Sequence, residues 1–122
     1  MTNQILLFIG AAITVLWGIS HLFPTASVVR GFGEISEDNK NIISMEWITE
    51  GVALIFIGVI VAGVTIVDSA NSVSSFVYIA SAVTLLFLAV VSLFTGFKVN
   101  FFPFKLCPLL FTLSAVLILI GY

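Results

Sequence analysis

Charge is what this sequence has least of: four Lys or Arg and six Asp or Glu in 122 residues, 8% of the chain. A soluble domain carries nearer a quarter. With 61% hydrophobic residues there is no polar surface to clothe a soluble fold. The net charge of −2 leaves no basic field for nucleic acid and no strong pull on any other charged partner. The one cysteine, Cys107, excludes an internal disulfide and leaves the redox compartment unread. It has no CxxC neighbour and reads as a packed, inert thiol. There is no P-loop, nucleophile elbow, zincin motif or dinucleotide fingerprint, which argues against an independently acting enzyme. Repeats and low-complexity segments are also missing. The lead-in Met1-Thr2-Asn3-Gln4 lacks the Lys or Arg of a signal peptide, so the first apolar run is expected to stay as a span.

What the chain does have is long apolar runs. They fall at about 4–23, 47–67, 75–97 and 105–122, each near the roughly 20 residues that cross a 30 Å hydrocarbon core. In lipid every backbone N–H and C=O must pair within its own segment or in a closed barrel, so these spans are expected to be helices. The expected fold is all-α: a single domain over 1–122, a four-transmembrane-helix bundle in an integral membrane protein.

Nine of the ten charged side chains lie on one side of that arrangement. Arg30, Glu34, Glu37, Asp38, Lys40, Glu46 and Glu50 occupy the first connection and its borders, Lys98 and Lys105 flank the third, and Asp68 alone lies opposite. The Lys and Arg count is four to none, which by the positive-inside bias places connections one and three in the cytoplasm and both termini outside. A bacterial inner membrane is the expected location.

Within the first connection, Pro24 stops the first helix, and Gly31 and Gly33 weaken any helix through that stretch. Val28, Val29, Phe32 and Ile35 offer a short apolar face to the headgroups. Asp38 or Asn39 is the expected cap of a second helix that projects beyond the bilayer, with Trp47 at the interface. The aromatic stretch 98–105 is expected to lie flat at the interface, with Pro108 in the first turn of the last helix. Small residues at packing intervals (Gly10, Thr14, Gly18; Gly58, Ala62; Ala89, Ser92, Gly96) mark where helices approach closely.

His21, the sole histidine, shares a helical face with Gly10, Thr14 and Trp17 and is expected to point into the bundle. Counting 1.5 Å per residue puts it about 25 Å from Gln4, and Glu50 about 27 Å from Asp68. The two come level. Glu46 lies one turn from Glu50 on the same face, and their charges repel unless a proton, a cation, His21 or a Lys or Arg intervenes. Four readings stay open. His21, Glu46 and Glu50 are ligand types for a divalent metal. The same groups suit a proton relay, since a desolvated carboxyl and an imidazole both titrate near neutrality. They also suit a polar mouth for the head of a lipid-soluble ligand such as a quinone or lipid, with Arg30, Lys98 and Lys105 as compensating charge. The plainest reading is an interfacial cluster that orients the helices, because charge is tolerated near the interface far better than at the membrane centre.

Gly18-Ile19-Ser20-His21-Leu22-Phe23-Pro24, ending the first span, and Glu50-Gly51-Val52-Ala53-Leu54-Ile55-Phe56-Ile57-Gly58, opening the second, resemble the DoxX-like small membrane proteins. In that group a glycine and a basic residue close the first helix and a Glu-plus-glycine pattern opens the second. The resemblance covers the first half of the chain and puts His21 at the basic position and Glu50 at the acidic one. It implies a four-helix bundle and an association with quinone-linked redox work. The basic amino terminus that goes with a shared orientation is lacking here. The function expected is a small accessory or ligand-binding membrane component, with a proton-coupled transporter acting as an oligomer, or a purely structural subunit of a larger membrane complex, as the competing classes.

Overall fold

Asn3 starts the first helix by accepting a hydrogen bond from the Leu6 N–H on its side-chain oxygen, satisfying one of the donors that a helix start leaves unpaired. The computed structural model describes residues 2–122. They form α1 (Gln4–Leu22), α2 (Thr25–Gly31), α3 (Glu37–Asp68), α4 (Ser72–Phe94) and α5 (Phe102–Gly121), with a single 3₁₀ turn at Gly96–Lys98 before α5. No strand occurs among the described residues. α1, α3, α5 and the stretch from Ser72 to Lys98 are long and apolar enough to cross a membrane. The all-α, four-span expectation matches this architecture.

Local chemistry moves several boundaries. Despite Gly31 and Gly33, the first connection contains α2, because Thr25 Oγ1 donates to Leu22 O (3.0 Å) and bridges the break at Pro24. Gly33 then turns the chain at φ +73°, a left-handed conformation that costs glycine little. Ser36, rather than Asp38 or Asn39, caps α3, its hydroxyl accepting from Asn39 N at 3.2 Å. Glu37 and Asp38 instead fill the first turn, where the helix dipole favours acids. α4 begins at Ser72, three residues before the expected span, because Asn71 caps it through Val73 N (2.8 Å). α5 starts at Phe102 with Pro103 in its first turn, so Pro108 lies inside the helix, not in its first turn. Gly96 belongs to the 3₁₀ turn and not to a helix face.

The four long helices form a ring. α1 packs against α3 and α5, α5 packs against α4, and α3 meets α4 only sparsely. The α1–α3 crossing is close where either helix presents a glycine: a Cβ on Gly18 would lie 2.7 Å from Gly51 O, and one on Gly58 2.6 Å from Ala11 O. Leu7, Leu54, Val61, Leu85, Phe111 and Ile118 are buried between the helices.

One end of the bundle is tied by polar contacts. Asn3 N donates to Gly121 O (2.7 Å), Gln4 Nε2 to Ser69 Oγ (3.0 Å) and Ser74 Oγ to Asp68 O (2.6 Å). Fully buried Tyr78 pairs with Thr65 Oγ1 at 2.9 Å; the threonine proton goes to Val61 O, so the tyrosine donates. Both termini and the α3–α4 turn therefore share one end. The first and third connections, with nine of the charges, share the other.

Candidate functional site

The last turn of α1 has carbonyls without helical partners, because Pro24 cannot continue the hydrogen-bond ladder. Two side chains from outside that ladder use one of them: Trp47 Nε1 on α3 donates to His21 O, and Thr25 Oγ1 approaches it at 3.4 Å. Trp47 thus clamps the end of α1 to α3 in addition to any role at an interface. Its ring lies 5.0 Å from the His21 ring and 5.4 Å, edge-on, from Phe104 at the start of α5.

His21 is only 5% exposed. Its Nδ1 lies 2.9 Å from Trp17 O. A carbonyl only accepts, so Nδ1 carries the proton and, in the neutral ring, Nε2 is the lone-pair nitrogen. Nε2 lies 3.7 Å from Glu50 Oε1 on α3, whose side chain is 40% exposed. The expected match in depth between His21 and Glu50 is therefore seen as a direct approach of the two groups.

The other candidates do not join this pair. Glu46 is exposed one turn away and makes no polar contact among the described residues. Among those residues no three His, Cys, Asp or Glu side chains converge as a metal site, so His21, Glu46 and Glu50 do not form the metal-binding set considered from the sequence. Arg30 reaches Ser27 Oγ (3.2 Å), and Lys105 Nζ sits over the Phe97 ring (5.7 Å to its centroid). Lys98 is exposed in the turn before α5. None of the three forms an ion pair with Glu46 or Glu50. Among the described residues only His21 lies within ion-pairing distance of Glu50.

Two hollows meet at this end. A cavity of about 220 Å³ is walled by Trp17, His21, Val28, Trp47, Phe104 and Cys107, almost entirely through apolar atoms. A wider groove of about 450 Å³ opens where α3 and α4 diverge, lined by Glu46, Trp47, Glu50, Leu54 and Leu88 among others. Trp47 borders both, and the His21–Glu50 pair joins them.

One polar atom in the cavity wall has no oxygen or nitrogen partner. Trp17 Nε1 is buried and makes no well-formed hydrogen bond; only the Cys107 sulfur, a weak acceptor, lies near it. Cys107, which borders the same cavity, contacts Pro103 O (3.7 Å) through its sulfur. A buried donor left unpaired costs about 1–3 kcal/mol, which makes such groups rare in a relaxed interior. Trp17 was legible as a neighbour of His21 on one helix face. That its N–H lacks a partner, and that Phe104 and Cys107 close the cavity, depend on how α5 packs across α1. The spacing within α1 carries no trace of that.

No family model matches the chain, and neither a curated protein nor a solved structure shows significant similarity to it.

Proposed function

We propose that the chain is a small ligand-binding component of a membrane, holding a lipid-soluble molecule of the quinone or lipid type in the aromatic cavity beside His21. The observation that carries this reading is the buried, unpaired Trp17 N–H in a wall that is otherwise apolar and aromatic. A neutral molecule with a carbonyl or ester oxygen supplies the missing acceptor, while its apolar body meets Trp47 and Phe104. Ligand sites of this kind are apolar with a few placed polar groups. The resemblance of the segments around His21 and Glu50 to DoxX-like proteins favours the quinone side of the class. The four apolar spans support residence in a bilayer, and the placement of all four Lys and Arg supports connections one and three facing the cytoplasm.

The test is mass spectrometry of the protein purified in a mild detergent, followed by quenching of tryptophan fluorescence with a short-chain quinone. A stoichiometric apolar molecule, displaced by the quinone, is expected. Trp17→Phe should weaken binding by about fivefold to tenfold, the value of one hydrogen bond of about 1–1.5 kcal/mol. No retained molecule and no quenching in the wild type would sink the reading.

A second reading, proton-coupled transport by an oligomer, is favoured by one observation: the His21–Glu50 pair spans from the cavity to the groove. It requires pH-driven flux in proteoliposomes that Glu50→Gln abolishes. Absence of flux in the wild type removes it.

A further inference from the structure

The side-chain polar atoms in the wall of the aromatic cavity are few enough to account for one by one. Trp47 Nε1 is spent on His21 O, and the Ser20 hydroxyl proton on Leu16 O. The Cys107 sulfur points its proton at Pro103 O (3.7 Å) and is only a weak acceptor beside Trp17 Nε1. Two nitrogens are left. Trp17 Nε1 carries a proton and has no oxygen or nitrogen to receive it. His21 Nε2 is its opposite: with the proton of the neutral ring held on Nδ1 by Trp17 O, it offers a lone pair.

Among the described residues nothing hydrogen-bonds to that lone pair. Glu50 Oε1 stands 3.7 Å away, beyond hydrogen-bond length. An ionised carboxylate only accepts, so it has no proton to offer a neutral imidazole. The free donor and the free acceptor are also neighbours. Trp17 and His21 lie four residues apart on one face of α1, and their rings meet edge-on with centroids 5.6 Å apart. Both border the same cavity of about 220 Å³. One oxygen with a hydrogen bond of about 2.8 Å to each of two nitrogens bridges up to about 5.6 Å, the scale of that ring separation. Such an oxygen must accept from the indole and donate to the imidazole. A carbonyl, ester or ether oxygen does only the first; a hydroxyl does both.

We propose that the cavity selects a hydroxyl-bearing ligand, a lipid-soluble alcohol or phenol, with His21 Nε2 as the acceptor that sets this specificity. The inference rests on the reading that the cavity holds a lipid-soluble molecule, and it narrows the class of that molecule. On the quinone side of the class it favours the reduced, phenolic form. A site that hydrogen-bonds a hydroxyl rejects the analogue lacking it, because its own polar atoms are then left unpaired. Trp17 and His21 divide the work. Trp17 holds any acceptor oxygen, whereas His21 tells a hydroxyl from a carbonyl.

The experiment is equilibrium dialysis of the whole protein in mild detergent, with empty micelles as the reference for partition. The probes share one bicyclic carbon skeleton: tetralol (an alcohol), tetrahydronaphthol (a phenol), tetralone (a ketone) and tetralin (no oxygen). The tighter of the two hydroxyl probes should bind about fivefold to tenfold better than tetralone, the value of one hydrogen bond, and it shows whether the site suits an alcohol or a phenol. Trp17→Phe should weaken that probe and tetralone alike and keep their ratio. His21→Phe should bring the hydroxyl probe down to tetralone and leave tetralone unchanged, since the backbone carbonyl that holds Trp47 survives the substitution. Equal binding of hydroxyl probes and tetralone to the wild type overturns the inference and leaves the ligand-binding reading standing. So does a hydroxyl preference that persists in His21→Phe. Binding of none of the four probes removes the ligand-binding reading, and the inference with it. The wild-type ratio decides the matter on its own if His21→Phe does not fold.

Discussion

His21 shows how one side chain can serve two neighbours. Its Nδ1 is committed to Trp17 O and its backbone carbonyl to Trp47, leaving Nε2 as the nitrogen that faces Glu50. As the only histidine, it gives one pair of ring-nitrogen signals in a histidine-labelled sample. Nitrogen NMR is expected to find the proton on Nδ1 in the neutral ring. A neutral ring protonated on Nε2 would contradict the bond to Trp17 O. Trp17 makes a different test. Trp17→Phe removes a buried polar group without a strong partner, which favours the apo protein, and part of a ring packed on the core and on His21, which disfavours it, so the ligand-free variant should lose less than about 2 kcal/mol. A thermal midpoint lowered by more than that packing loss would show that the indole N–H makes a strong hydrogen bond. The level match of His21 and Glu50 was legible from helix rise, since both residues are counted from helix ends that lie level, while their approach to 3.7 Å depends on how α1 and α3 are turned toward each other. The isolation of Arg30, Lys98 and Lys105 from the carboxylates was not. Sequence places these residues at one end of the molecule but says nothing of the several ångströms that separate a salt bridge from a bare cation.

At the scale of elements, the α1–α3 crossing depends on glycines that a Cβ would push apart. Gly18→Ala and Gly58→Ala place a methyl 2.7 Å and 2.6 Å from backbone oxygens, contacts that cannot relax without moving a helix. Each is expected to destabilise the bundle by about 1–3 kcal/mol, read as a lower midpoint in detergent unfolding. Gly63 lies on the same helix with open space around it. Gly63→Ala should be neutral or stabilising by up to about 1 kcal/mol, through helix propensity alone. If all three substitutions have the same effect, close approach is not what these glycines provide. Gly10, Thr14, Gly18 and Gly58 were identifiable as packing residues from their spacing. Gly51 was visible in the sequence only as part of the Glu-plus-glycine motif, and its contact with Gly18 appears once the two helices are crossed. Ser36 caps α3 in place of Asp38 or Asn39 because the helix begins there, three residues after the turn at Gly33, a local feature.

For the whole molecule, the ring of helices puts both termini and the α3–α4 turn at one end and the first and third connections at the other. In sealed vesicles a cysteine placed at Asn71 and one placed at Ser36, each in a Cys107→Ser background, should react with an impermeant maleimide from opposite faces. Labelling of both from one face would break the four-span topology. The native Cys107 is buried and should label slowly in the folded protein and quickly once it is unfolded. The sparse α3–α4 contact leaves the groove open on its flank, and Glu50 lies at the junction of groove and cavity.

The sequence by itself determined the class, the number and approximate bounds of the spans, and the end that holds the charge. Those features are set by length, hydropathy and the cost of burying charge in hydrocarbon, which act residue by residue along a helix. The tertiary structure decided which apolar residues face each other and which face outward, and so where the cavity and its unpaired indole N–H lie. The physical reason is specific to a chain of this composition. In a soluble protein the polar face of a helix marks the outside, but here the outward surface and the core are both apolar. The amphipathic signal that would orient each helix is therefore weak. Close packing of small residues and a few polar contacts supply the orientation instead, and both depend on pairs of helices.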